Sequence, residues 1–307
     1  MEKVKQLRDN MNKAFIGKED VVENMLVCLL AGGHVLIEDV PGLGKTTLAN
    51  ALANSVQCSF GRMQCTPDSL PTDVTGVSIY NQKTGEFEFR EGVVMNQVLL
   101  VDEINRATPK TQSSLLEAMA EGQVSVDGNI YTLPQPFMVI ATQNPSEYVG
   151  TYPLPEAQID RFMMCLSIGY PEKEQELEIA RHLLSGELAS KAEAVCTTEE
   201  ILAMKKEVEQ VKIAEPVLSY IVDIIRATRE EEKYVVGASP RAMLALVRAS
   251  QAKAYLSERD YVKPDDVKAV VKPVLMHRLV LTTKARGQEN GAEQVFHNLL
   301  LKVRVPV

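Results

Sequence analysis

Six consecutive residues, Pro41-Gly42-Leu43-Gly44-Lys45-Thr46, carry the densest chemistry in the sequence. The glycines let successive backbone N–H groups turn inward with no Cβ in the way, which suits a bound phosphate. The residues that follow, TTLANALANSV, read as a helix. Its first N–H groups and the positive end of its dipole point at the same anion. Lys45 is spaced to reach β- and γ-phosphates, and Thr46 offers a hydroxyl to Mg²⁺. The whole cradle spans Asp39, Val40, Pro41, Gly42, Leu43, Gly44, Lys45, Thr46 and Thr47. The implied ligand is a nucleoside triphosphate with Mg²⁺. One residue departs from G-x-x-x-x-G-K-[ST]: Asp39 stands where glycine is expected. Its charge is unfavourable beside phosphate unless it points away.

Two acids form the second element. Val98-Leu99-Leu100-Val101 is an apolar run that delivers Asp102 and Glu103 to a strand end. In open α/β sheets, ligands bind at that edge. Asp102 is expected to hold Mg²⁺ through water, and Glu103 to polarise the attacking water as general base. Asn144 follows another apolar run and is placed to orient water or a γ-phosphate oxygen; its bland reading is a turn former before Pro145. Arg161 and Arg241 complete the set as candidates for neutralising transition-state charge. A lone arginine is otherwise a solvated or salt-bridged surface residue.

These residues need a scaffold. Residues 19–31 carry apolar positions at helical spacing. Strands are expected at 34–37, within 58–64, at 98–101, at 137–141 and at 163–168, with a helix from near Pro109. Continuous apolar strands separated by helices predict a parallel sheet covered on both faces. Two segments, 74–92 and 122–133, read as inserted β-hairpins, the second around an Asp127-Gly128 turn. After Pro171 the pattern turns helical. Thr197 with Glu200 makes a capping box, and Pro216, Ser239-Pro240 and Pro264 open helices. The expected domains are a nucleotide-binding core at 1–171 and a helical domain at 172–307.

The chain has 307 residues, 45% of them hydrophobic and 24% charged, with no Trp and a net charge of −8. An acidic balance argues against a phosphate-backbone binder, which needs clustered Lys and Arg. The five cysteines show no C-x-x-C spacing and read as buried, reduced thiols. The four histidines are scattered, and His34 reads as packing rather than chemistry. MEKVKQLRDN lacks a signal-peptide core, and no stretch of about 18 apolar residues exists, so no membrane span and a cytoplasmic location are expected.

With these elements in order, the chain resembles an AAA+ ATPase, and more narrowly the MoxR family. The stretches carrying the resemblance are EDVPGLGKTTLA, TPDSLPTDVTG, KTGEFEFREG, LLVDEINRATPKTQSSLLEAM, VIATQNP and YPLPEAQIDRF. The similarity covers most of residues 10–285. It implies a fold class: an α/β P-loop parallel-sheet core with two β-hairpin insertions, followed by a smaller all-α lid domain. It implies roles as well. Gly42, Gly44, Lys45 and Thr46 match the Walker A loop, in which Asp39 is a tolerated variant. Asp102 and Glu103 match Walker B, Asn144 sensor 1, Arg161 the arginine finger and Arg241 sensor 2. Ala14-Phe15-Ile16-Gly17 resembles the segment bordering adenine, which makes Ile16 and Gly17 candidate contacts. The implied cofactors are ATP and Mg²⁺, and the implied assembly is a hexameric ring with nucleotide between subunits. The implied partner is a von Willebrand factor A protein with a metal-dependent adhesion site, and the implied task is chaperone-like remodelling or metal and cofactor insertion into protein clients.

Three other readings compete. A nucleic-acid motor calls for basic hairpins, but Lys83 and Arg90 face Glu86, Glu88 and Glu91 in the first, and the second has Asp127 and no Lys or Arg. A small-molecule kinase leaves DEINRA and the helical part unexplained. The ATPase subunit of a metal chelatase shares the two inserts and stays open.

Overall fold

The computed structural model describes residues 2–145, 150–184, 192–287 and 291–306. Helices α1 (Glu2–Ala14) and α2 (Glu19–Leu30) lead into strand β1 (Val35–Glu38), and the glycine loop passes into α3 (Lys45–Ser55). Next come β2 (Phe60–Gln64), α4 (Pro71–Thr75) and the hairpin β3 (Gly76–Asn81) with β4 (Glu86–Glu91). Strand β5 (Val98–Asp102) and helix α5 (Pro109–Glu121) precede a second hairpin, β6 (Gln123–Val126) with β7 (Asn129–Thr132). The core closes with β8 (Met138–Gln143), α6 (Glu156–Ile159) and β9 (Met164–Leu166).

Five strands form one sheet in the order β2-β5-β8-β1-β9, and every pairing is parallel. The burial explains why β1, β5 and β8 read as unbroken apolar runs. Val35, Ile37, Val98, Leu100, Met138 and Ile140 pack on one face with α1, α2 and α3. Leu36, Leu99, Val101, Val139 and Ala141 pack on the other with α5. Period-2 alternation between two buried faces leaves no polar position. His34 seals the bottom of the sheet: its Nδ1 accepts the Val139 N–H at 3.0 Å, and its Nε2 lies 3.3 Å from the Met119 carbonyl.

Both inserted hairpins are present and antiparallel. At the second turn, Asp127 (φ 50°) and Gly128 (φ 80°) both take positive φ, the geometry that an Asp-Gly pair favours. The hairpins meet through Phe89 and Tyr131, whose rings stack at 3.8 Å between centroids.

The remainder is α7 (Lys173–Leu184), α8 (Thr198–Glu209), α9 (Glu215–Glu230), α10 (Pro240–Leu256), α11 (Pro264–Leu275), α12 (Thr283–Arg286) and α13 (Gly291–Lys302). A small antiparallel ribbon, β10 (Tyr234–Val236) with β11 (Val280–Leu281), adds to these helices. The capping box forms as expected: Thr197 Oγ1 accepts the Glu200 N–H at 3.3 Å, and Glu200 Oε2 accepts the Thr197 N–H at 2.9 Å. Ser239 caps α10, and Pro240 opens it. A single apolar cluster runs from α2 into α8, α9, α10 and α11, so the helical part packs directly on the sheet's covering layer. Among the described residues, no helix is long and apolar enough to cross a membrane. All five cysteines are free, and Cys58 and Cys165 are half-buried rather than fully enclosed. Burial pushes the Cys58 thiol up to about 11 and the Cys65 thiol up to about 12, so both stay protonated.

Candidate functional site

Strands β1, β8 and β5 are neighbours, and the register places Glu38 opposite Gln143 and Leu100 opposite Ile140. Their C-terminal ends therefore form one row. The loops that leave this row converge on a cleft of about 370 Å³. Pro41, Gly42, Gly44, Lys45, Thr46 and Thr47 line it from the β1 side. Asp102 and Glu103 line it from β5, and Thr142 and Asn144 from β8.

The glycine loop is built as a cradle. Gly42 (φ 88°) and Gly44 (φ 82°) both occupy left-handed backbone that a side chain would strain. A Cβ on Gly42 would meet no atom within 4 Å; it would project into open space. Gly44 is the N-cap of α3 and offers no side-chain cap, so the first N–H groups of this helix lack a capping acceptor of their own. Those donors are the physical basis of anion binding at a helix N-terminus.

Asp39 resolves its own difficulty. Its carboxylate turns toward the segment after β9 and accepts from Ser167 Oγ at 3.1 Å, from the Ile168 N–H and from the Gly169 N–H at 3.4 Å. Its carbonyl accepts from Lys45 Nζ at 2.6 Å. Burial lowers the Lys45 pKa, while Asp39, Asp102 and Glu103 oppose that shift.

The two acids have different surroundings. Asp102 is buried and pairs with Arg62 of β2, with Nε 2.8 Å from Oδ2. Thr142 Oγ1 lies 3.4 Å from the other oxygen and accepts the Glu103 N–H at 3.0 Å. Glu103 itself sits in left-handed backbone (φ 54°, ψ 51°), which is uncommon for a residue with a side chain. That turn aims its carboxylate toward β2, where Oε2 accepts from Gln64 Nε2 at 2.9 Å and from Arg106 Nη1 at 3.0 Å. Asn144 is buried in the cleft wall.

A second lobe of about 400 Å³ shares Gly42, Gly44 and Thr47 with the first. Phe15, Ile16, Leu43, Ile168 and Ile179 make it largely apolar, as a flat base requires. Of the two residues singled out at this end, Ile16 lines the lobe and Gly17 does not. Gly17 instead takes a structural part: its carbonyl accepts from Gln175 Nε2 at 2.9 Å, tying the loop to α7. Val40 is half-buried and lines neither lobe.

Arg161 and Arg241 do not line the cleft of their own chain. Arg161 Nη1 donates to the Leu116 carbonyl in α5. Arg241 is exposed in the first turn of α10. Sequence reasoning missed Arg62, Gln64, Arg106 and Thr142. Arg62 and Gln64 flank the buried Met63 at period 2 on one strand, and that alternation was the available signal. What it lacked was the pairing of β2 with β5, which no single sequence prints.

The model of the ATPase family associated with various cellular activities (AAA) matches residues 34–164, and the AAA lid domain matches residues 226–298. The chain is 41% identical over 305 residues to chaperone MoxR1 of Mycobacterium tuberculosis, covering 96% of this chain and 80% of that protein. It is 47% identical over 299 residues to YeaC of Bacillus subtilis, covering 97% and 93%. With protein MoxR of Paracoccus denitrificans it shares 31% identity over 296 residues, covering 89% and 87%. A crystal structure of a candidate ATPase from Cytophaga hutchinsonii superimposes with a TM-score of 0.92 at 39% identity, covering 100% of this chain and 96% of that one.

Proposed function

The chain belongs to the MoxR family of AAA+ ATPases and is an ATP hydrolase of that type; from this premise we propose that it works as a Mg²⁺-dependent hexameric ring that remodels protein clients. The observation that carries the reading is the single cleft at the ends of β1, β5 and β8. Lys45, Thr46, Asp102, Glu103 and Asn144 all line it.

In this reading the N–H groups after Gly42 and Gly44 hold the phosphates, and Lys45 Nζ moves from the Asp39 carbonyl to the β- and γ-phosphates. The metal site fits its ion: a threonine hydroxyl and a carboxylate are the hard oxygen donors Mg²⁺ takes, with phosphate and water completing its shell. Thr46 and Asp102 would hold it, and the bound ion would neutralise charge on the transferred phosphoryl. Glu103 accepts a proton from the attacking water once released from Gln64 and Arg106. Asn144 orients that water. Arg161 acts on nucleotide held by the next subunit, and Arg241 reads nucleotide from the helical side. The lid, taken as 172–307, then moves against a core taken as 1–171.

The client-facing part is the pair of hairpins. Phe87, whose ring lies 5.3 Å from that of Tyr80, is 72% exposed near one tip, and Ile130 is 64% exposed near the other, so both hairpins present apolar surface to a client. We assign the task as chaperone-like remodelling or metal and cofactor insertion, in the cytoplasm, with a von Willebrand factor A protein as partner. The M. tuberculosis relative is named a chaperone, which supports the remodelling part of that assignment.

Sedimentation velocity of Glu103→Gln with Mg²⁺·ATP tests the assembly. Six monomer masses are expected. A monomer under every nucleotide condition would overturn the ring, and stimulation of wild-type turnover by DNA would favour a nucleic-acid motor instead.

A further inference from the structure

The turn that carries Arg161 hangs from the helical half of the chain. The Asp160 carboxylate accepts from Ser239 Oγ, at 3.1 Å to Oδ1 and 3.0 Å to Oδ2. Arg278 Nε lies 3.0 Å from Asp160 Oδ1 as an ion pair, although its N–H is not aligned on that oxygen. Arg278 Nη2 donates to the carbonyls of Asp160 at 3.1 Å and Phe162 at 2.7 Å. Its Nη1 donates to the Val274 carbonyl at 2.8 Å, anchoring it in α11. His277 Nε2 lies 3.1 Å from the same Phe162 carbonyl. Both residues flanking Arg161 are thus held from the helical side.

This clamp is buried. The Arg278 side chain is 3% exposed, and that of Asp160 is 18% exposed. A guanidinium so enclosed is tolerated only while its acceptors stay in place. Burial pulls Arg278 down to about 10, Asp160 opposes that shift, and Arg241 adds to it by repulsion. Arg241 therefore lies within electrostatic reach of the clamp.

The same clamp holds the helix that bears Arg241. Ser239 Oγ donates to Asp160 while accepting the Ala242 N–H at 3.0 Å as the cap of α10. Arg241 follows it by two residues. One carboxylate is therefore fixed to the start of α10 and precedes Arg161 in the chain. Among the described residues Arg161 donates to one carbonyl, that of Leu116, and its buried Nε has no hydrogen-bond partner.

We propose that Asp160 and Arg278 are positioning residues for Arg161, which transmit the placement of α10 in one subunit to the arginine presented to the next. This rests on the reading of Arg161 as a finger acting between subunits. A lid that shifts when Arg241 engages nucleotide must carry Asp160 with it, because the carboxylate is bonded to the cap of that same helix. The arginine next in the chain then moves relative to α5.

Steady-state ATPase assays on Asp160→Asn and Arg278→Lys, with fluorescent-ATP titrations beside them, test this. ATP affinity and KM are expected to stay within about twofold, while kcat falls about 10²-fold, the cost typical of a misplaced catalytic group. The decisive readout is subunit mixing with Glu103→Gln, which is dead at its own site but carries an intact clamp and Arg161. Mixing is expected to restore turnover at the variant's sites. Arg161→Ala mixed in the same way is the control. Rescue of Arg161→Ala without rescue of the clamp variants overturns the proposal and leaves the finger reading standing. Failure to rescue Arg161→Ala defeats the finger reading, and the proposal with it. Near wild-type kcat in Asp160→Asn also overturns it. Asp160→Asn keeps the volume of the side chain but removes the charge that pairs with Arg278, so it decides the matter even where Arg278→Lys does not fold.

Discussion

Arg62 Nε sits 2.8 Å from Asp102 Oδ2, so the carboxylate that would hold the metal already has a cation from the neighbouring strand. The pair is one-sided: the Asp102 side chain is 11% exposed and that of Arg62 is 52% exposed. A Mg²⁺ ion held there, as proposed, would compete with the guanidinium for the same oxygen. With Arg62 half exposed, solvent screening keeps the pair near the surface range of roughly 0.2–1 kcal/mol. Arg62→Met is therefore expected to lower the Mg²⁺ concentration giving half-maximal turnover about two- to fivefold. A Mg²⁺ titration of phosphate release measures it, and an unchanged or higher midpoint would show that the pair does not compete with metal.

Asp39 predicts the opposite of what its loop pattern suggests. Replacing it with the expected glycine would remove the acceptor for the Ile168 N–H and the partners of Ser167 and Gly169. A buried donor left without an acceptor costs about 1–3 kcal/mol. Asp39→Gly should then lower Tm by about 2–4 °C for each kcal/mol lost, with no gain in ATP affinity. A calorimetric scan that shows a raised Tm would contradict the structural role given to this carboxylate.

How much of this was legible in the sequence follows from what each signal depends on. The glycine loop, the Asp102-Glu103 strand end and the Asp127-Gly128 turn are local, and their chemistry acts within a few residues. Strands β1, β5 and β8 were readable because each is buried on both faces over an apolar run. The partners of the acids were not. Arg62 and Gln64 meet Asp102 and Glu103 across about forty residues, only because β2 pairs with β5. Arg278 meets Asp160 across more than a hundred, from the turn after α11, whose sequence carries no mark of that contact. Gly17 was assigned to the base-binding lobe by resemblance, while its carbonyl serves α7.

His34 predicts a pH dependence of stability. Burial, the largest cause, pushes its pKa down to about 4 from an ordinary 6.5, with the Met119 carbonyl opposing and Lys205 assisting. The folded form thus keeps His34 neutral while the unfolded chain takes up a proton below 6.5. Its contribution is fully present above that pH and is lost as pH falls toward about 4. By pH 5 the loss is roughly 2 kcal/mol for this one group. His277, pushed down to about 3 mainly by burial, acts in the same direction. Urea unfolding at pH 7 and pH 5 should show a smaller difference in His34→Gln than in wild type. Equal differences in the two proteins would remove His34 from the account.

Glu103 gives the most direct test of the central claim, that this cleft hydrolyses ATP with Glu103 as base. Its carboxylate lines the cleft with Lys45, Thr46 and Asp102, and the role proposed for it is in chemistry rather than in holding the phosphates. Single-turnover hydrolysis of radiolabelled ATP, paired with equilibrium binding, should therefore separate the two steps in Glu103→Gln. The predicted result is ATP affinity at the wild-type level with hydrolysis reduced on the order of 10²–10⁴-fold, as for loss of a general base. Hydrolysis at the wild-type rate in a variant that still binds ATP would contradict the account.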